Sequence, residues 1–103
     1  MDNVKNKIFN IVSQGTLGEL EHALKAGVDP NERNGFGLTA IFLAVSIGRT
    51  RMIRMLAKFG ADLTLQNNAG MSPRDIAYFN RNTVAVDEID RIMRNAENNK
   101  KEN

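Results

Sequence analysis

Apolar residues recur along this chain at helical spacing in short runs, and polar turns separate the runs. Val4, Ile8, Ile11 and Val12, with Phe9 beside them, predict a first helix over residues 2–14. Asn3, Lys5, Lys7 and Asn10 supply its wet side, and Gly15 stops it. Leu17, Leu20, Ala23 and Leu24 form the inner stripe of a second helix that ends at Gly27, a residue suited to the left-handed position past a helix C-terminus. Residues 34–66 then read as turn, short helix, tight turn, second helix and loop. Val86, Ile89, Ile92 and Met93 make one face of a final helix, while Asp87, Glu88, Asp90, Arg91 and Arg94 wet the other. Residues 95–103 are polar throughout and predict a frayed end.

The pattern repeats at a shift of 33 residues: Gly15 goes to Gly48, Gly27 to Gly60, Asp29 to Asp62, Gly37 to Gly70, Thr39 to Ser72 and Ala44 to Ala77. The apolar triplet Leu20, Ala23 and Leu24 becomes Ile53, Leu56 and Ala57. A fixed period of this size predicts stacked units, because each can bury its apolar face only against the next. Asn34-Gly35 and Asn67-Asn68 share one position of the period, and Asn-Gly predicts a short hairpin. Thr39 and Ser72-Pro73 stand where a hydroxyl can accept a bond from a free N–H at a helix start, with Asp75 adding a carboxylate to the second of these helices.

Thr39-Ala40-Ile41-Phe42-Leu43-Ala44 and Ser72-Pro73-Arg74-Asp75-Ile76-Ala77 resemble the TPLHxA signature of the ankyrin-repeat family, whose period is also 33. Residues 15–31 resemble the second half of the same unit. The resemblance implies an all-α solenoid of three helix-turn-helix units with short β-hairpin fingers. The units are expected at about 1–33, 34–66 and 67–99, in one domain followed by a polar tail at 100–103. The third unit departs from the pattern, with Arg81 and Met93 where glycines are expected and Asp90 at a leucine position, and reads as a C-terminal cap.

Composition narrows the function. The 103 residues suffice for one modest core, and a formal charge of +2 does not demand nucleic acid or an anionic membrane. With no cysteine there are no disulfides or thiolate metal sites. An early acid and the lack of a long apolar run argue against a signal peptide or membrane span, so a cytoplasmic, monomeric protein is the expectation. The single histidine, His22, lacks partners for catalysis or metal binding and reads as a surface residue. Residues 35–40 fit the dinucleotide fingerprint on paper but follow a polar turn instead of a buried strand, and the repeat accounts for both glycines. No catalytic residue, cofactor or metal is expected.

In the ankyrin pattern, finger positions and the exposed side of the first helices line a concave partner-binding groove. Here they include Arg33, Phe36, Leu38, Ser46, Ile47, Gln66, Ala69, Met71, Phe79 and Asn80. Phe36, Leu38, Ile47, Met71 and Phe79 are expected to form one exposed apolar patch, a feature monomers seldom leave bare. The resemblance therefore implies a protein-binding module, for example an inhibitor such as a bacterial immunity protein, or an adaptor. Two other readings stay open. Arg49, Arg51, Arg54 and Lys58 could bind nucleic acid or an anionic surface, although Glu21, Arg54 and Asp87 share a repeat position and predict a ladder of salt bridges instead. Alternatively, the chain could be a structural self-association module in which the apolar groove or the worn third unit meets another copy.

Overall fold

The computed structural model describes residues 7–101. Six helices follow one another: α1 (Lys7–Gln14), α2 (Leu17–Lys25), α3 (Ala40–Ser46), α4 (Thr50–Lys58), α5 (Pro73–Phe79) and α6 (Thr83–Lys101). Residues 2–6 of the expected first helix lie outside the described residues. The helices pair as α1–α2, α3–α4 and α5–α6, and the pairs stack in two layers, with α1, α3 and α5 in one and α2, α4 and α6 in the other. The architecture is the all-helical solenoid that the 33-residue period predicts.

Two of the described helices, α2 and α5, start on a capping box. At α2, Thr16 and Glu19 form a reciprocal capping box: the Thr16 hydroxyl accepts from the Glu19 N–H at 3.1 Å, and the Glu19 carboxylate accepts from the Thr16 N–H at 3.1 Å. Ser72 and Asp75 repeat the device at α5, with Pro73 at the first helical position. Thr39 differs from expectation. It occupies the N-cap of α3, but its hydroxyl makes no hydrogen bond and is buried without a partner. The third residue after it is Phe42, which cannot close a capping box as Glu19 and Asp75 do, and the Phe42 N–H is directed to the Thr39 carbonyl.

The core runs through the seams between units. Ile8, Phe9 and Val12 of α1, Leu20 and Leu24 of α2, Ile41, Ala44 and Val45 of α3, Met52, Ile53 and Leu56 of α4, and Ala85 and Ile89 of α6 form one buried cluster. Gly27 and Gly60 turn the chain out of α2 and α4 with φ of 101° and 98°. The matching residue after α6 begins its turn is Met93, which is helical, and α6 runs on through Lys101. Residues 95–101, expected to fray, are therefore helix in the structure. No glycine at position 93 halts the helix as Gly60 halts α4.

Arg81 completes α5 at φ 58°, where the preceding unit uses Gly48 at φ 75°. A left-handed arginine costs roughly 1–2 kcal/mol. Urea unfolding of Arg81→Gly should therefore show a gain of about 1 kcal/mol, part of the strain relief being offset by the freedom of glycine in the unfolded chain. Gly60→Val should lose about 1 kcal/mol or more, since a β-branched side chain must enter the same left-handed region. An unchanged urea midpoint in the valine variant would contradict the role of this turn.

Candidate functional site

The connection between units is a built finger. In residues 34–38, the Gly37 N–H donates to the Asn34 carbonyl at 3.0 Å and the Asn34 N–H donates to the Leu38 carbonyl at 2.8 Å. Gly37 has φ 76°, so the positive-φ position is the last glycine of the loop and not the one after asparagine. This is the three-residue hairpin geometry of a turn closed by a left-handed residue. It recurs at 67–71, where the Gly70 N–H meets the Asn67 carbonyl at 3.0 Å and the Asn67 N–H meets the Met71 carbonyl at 2.8 Å. The hairpin turns are present, but they do not extend into strands among the described residues.

Asparagine side chains hold both fingers from within. Asn34 Oδ1 accepts from the N–H groups of Phe36 at 2.8 Å and Leu38 at 3.1 Å, and Asn67 Oδ1 accepts from Ala69 at 2.9 Å and Met71 at 3.0 Å. The fingers are also tied to each other. Asn68 Nδ2 donates to the Phe36 carbonyl at 3.2 Å, and Arg33 Nη1 donates to the Gly37 carbonyl at 2.5 Å and the Gln66 carbonyl at 3.3 Å. A Cβ on Gly37 would meet Asn68 Oδ1 at 2.9 Å, so the contact needs glycine. At the finger base, Asn31 bridges to the next loop by donating to the Gly60 carbonyl at 3.0 Å and accepting from the Asp62 N–H at 2.7 Å.

This scaffold presents Phe36 with 76% of its surface exposed, while both its N–H and its carbonyl are hydrogen-bonded. Leu38 and Met71, one unit apart, are half-buried, and Ala69 and the Gln66 side are exposed. Ser46 ends α3 and Ile47, 45% exposed, is its C-cap, whereas Phe79, 76% exposed, ends α5 and Asn80 is its C-cap. The ten residues thus fall into two groups, one on the fingers and one at the far ends of α3 and α5. A seven-residue helix separates them by about 10 Å. Sequence reasoning passed over Tyr78, which is 73% exposed, although its period mate Val45 is a core residue and the shift of 33 could have flagged it.

The expected salt ladder of Glu21, Arg54 and Asp87 is not what forms. Glu21 pairs with Lys25 of its own helix at 3.8 Å, and Arg54 reaches Glu88, the neighbour of Asp87, at 2.5 Å. Glu88 lies in the seam between α4 and α6, where it is 5% exposed, and Arg91 adds a second contact at 3.4 Å. Asp87 points to solvent. A carboxylate in the seam can face both arginines, which one on the outer surface cannot. Of the four cations that suggested a nucleic-acid face, Arg54 is thus committed, and Arg49 Nη1 is tied to the Val12 carbonyl at 2.9 Å. Lys58 lies over the Phe59 ring at 6.0 Å.

The hydrogen bond from Arg54, with the charges of Arg54 and Arg91, holds the Glu88 carboxyl below its ordinary range against the opposing effect of burial. Asp62 is lowered by hydrogen bonds from Thr64, and Asp90 by its hydrogen bond with Arg74. No group of three or more His, Asp or Glu side chains among the described residues could hold a metal ion.

The family model for ankyrin repeats in many copies matches residues 22–77. The chain belongs to the ankyrin-repeat family, whose members are generally non-catalytic and mediate protein–protein interaction. It is 31% identical over 96 residues to an ankyrin-repeat protein of Rickettsia bellii (strain RML369-C), covering 82% of this chain and 57% of that one. It is 30% identical over 81 residues to the inactive serine/threonine-protein kinase TEX14 of Bos taurus, covering 79% of this chain and 5% of that protein. An ankyrin-repeat protein of fowlpox virus (strain NVSL) is 29% identical over 68 residues, covering 66% of this chain and 9% of the viral protein. The chain therefore spans just over half of one relative and a small part of the other two. No helix among the described residues is long and apolar enough to cross a membrane.

A depressed carboxyl pKa stabilises the fold fully above the unfolded pKa and loses that contribution as pH falls through the lower, folded value. Glu88→Gln should therefore cost about 1–2 kcal/mol near pH 7, at the modest end because Arg54 is solvent-exposed. The difference from the unsubstituted protein should shrink as pH falls below about 4. Urea midpoints across the acid range check this, and a pH-independent difference would contradict it.

Proposed function

We propose that this protein binds another protein through the face made by the two fingers and the C-terminal ends of α3 and α5. The observation that carries the reading is Phe36, a largely exposed aromatic ring on a backbone pinned on both sides by Asn34 and Asn68. A ring presented this way loses little further freedom when it docks, so more of its burial energy goes into affinity. Ile47 and Phe79 offer further apolar anchors, and Ser46, Gln66 and Asn80 a polar margin around them. Arg33 acts mainly within the scaffold, donating to two carbonyls that join the fingers. Occupying a partner surface in this way suits an inhibitor or an adaptor equally well.

Interface energy concentrates in a few buried anchors, and truncating one can cost 2 kcal/mol or more. After a partner has been captured from the native cell and purified, calorimetric titration should show Phe36→Ala and Ile47→Ala each weakening binding by about tenfold or more. Thermal melts of both should stay close to the parent, because neither ring nor side chain is buried in the core. Arg51→Ala and Lys58→Ala should leave binding unchanged. Binding lost in those two variants, with a steep dependence on salt, would move the site to the convex basic face.

A further inference from the structure

Among the described residues, the third unit leaves open a face that the unit before it fills. Phe42, Val45 and Ile53 are 2%, 1% and 0% exposed, with α5 packed over α3. Their mates 33 residues on are Asp75, Tyr78 and Val86, which with Met71 and Arg81 line an open groove of about 850 Å³. What fills the corresponding space one unit earlier is a helix, α5, whose Pro73 and Ala77 are buried. A helix is thus the shape this groove accepts. No described segment turns back to supply one as the chain does after α4, because Met93 is helical where Gly60 has φ 98°.

The charges around the groove identify the helix. Asp75 and Arg81 lie three residues to either side of Tyr78, and both line the groove. A two-fold axis passing beside Tyr78 would set Asp75 of each copy against Arg81 of the other, twice over, with the aromatic rings at the centre. Such self-complementarity is what an isologous interface requires. Asp75 uses Oδ2 in its capping box, and no hydrogen bond to Oδ1 is present among the described residues. Arg81 is held in the left-handed region where the previous unit has glycine. A strained position keeps a long cation at the rim of a groove, a placement that folding alone does not require.

We propose that the α5–α6 end of the solenoid is a self-association face, on which two copies pair tail to tail through antiparallel α5 helices. Tyr78 meets Tyr78 at the axis, and each Asp75 meets an Arg81. The groove shares Met71 and Phe79 with the partner face proposed above, whereas Phe36 lies outside it.

Sedimentation equilibrium tests it with the intact chain. The weight-average mass should rise from 11.5 kDa towards twice that value. The rise should fall between about 10 µM and 1 mM, the range expected of a small interface. Asp75→Lys and Arg81→Glu should each weaken association at least tenfold, since like charges then face each other at both contacts. An equimolar mixture of the two variants should recover the dimer, because lysine at 75 then meets glutamate at 81 and the native Asp75–Arg81 contact survives on the other side. Tyr78→Arg should remain monomeric, Phe36→Ala should associate like the parent, and melts should confirm that each variant is folded. A parent chain that stays monomeric up to about 1 mM, or a mixture that fails to associate when the parent does, overturns the proposal.

Discussion

Among the described helices, α3 and α4 are covered on both sides, and the rest of the molecule depends on that sandwich. α3 packs against α1, α4 and α5, and α4 against α2, α3 and α6. The result is written in α3 itself, where Ala40, Ile41, Phe42, Ala44 and Val45 are all buried in a helix of seven residues. A helix this short has no independent stability, and one so apolar could not face water. The flanking units can each bury only one side against it, so their outer faces must be finished with other chemistry. On α5 and α6 the finish is only partly ionic: Arg74 stands where Ile41 is buried and holds Asp90 at 2.7 Å, while Tyr78 remains exposed.

Polar side chains make the stack specific at its seams. Arg49 joins the second unit to the end of α1, Asn31 links successive loops, Asn68 and Arg33 link successive fingers, and Glu88 brings α6 to Arg54. Each of these groups reaches its partner only when the units stack in one register. Individually such bonds contribute modestly to stability, but slipping the stack would break several together. Function follows from the same arrangement, because fingers fixed by these bonds can carry an aromatic ring into solvent without letting it collapse onto the core.

Much of this was legible in the residues because a period of 33 converts one unit's environment into a forecast for the next. The glycines at 27 and 60, the Ser72-Pro73 start of α5 and the core stripes all follow from it. Failures came where one residue of offset matters. Asp87 and Glu88 are neighbours, yet only the second turns into the seam, and charge pattern alone does not tell which. Thr39 matches Ser72 by position, but the Phe42 N–H that its hydroxyl could accept from is directed to the Thr39 carbonyl, and Phe42 has no carboxylate to close a capping box. The polar run after residue 94 suggested fraying, whereas α6 continues through it with no glycine at position 93 to end it. Tyr78 was hidden for the opposite reason: its position is apolar in every unit, and no described helix packs over α5 as α5 packs over α3.

Native-state amide hydrogen exchange tests the dependence on the central sandwich most directly. Opening free energies should be highest in α3 and α4, whose amides should exchange only with global unfolding. Amides of α5 and α6 should exchange through a smaller, separable opening, and substituting Glu88 by glutamine should lower that opening free energy while leaving the α3 amides governed by the global transition. Exchange from α3 at lower free energy than from α5 and α6 would contradict the account.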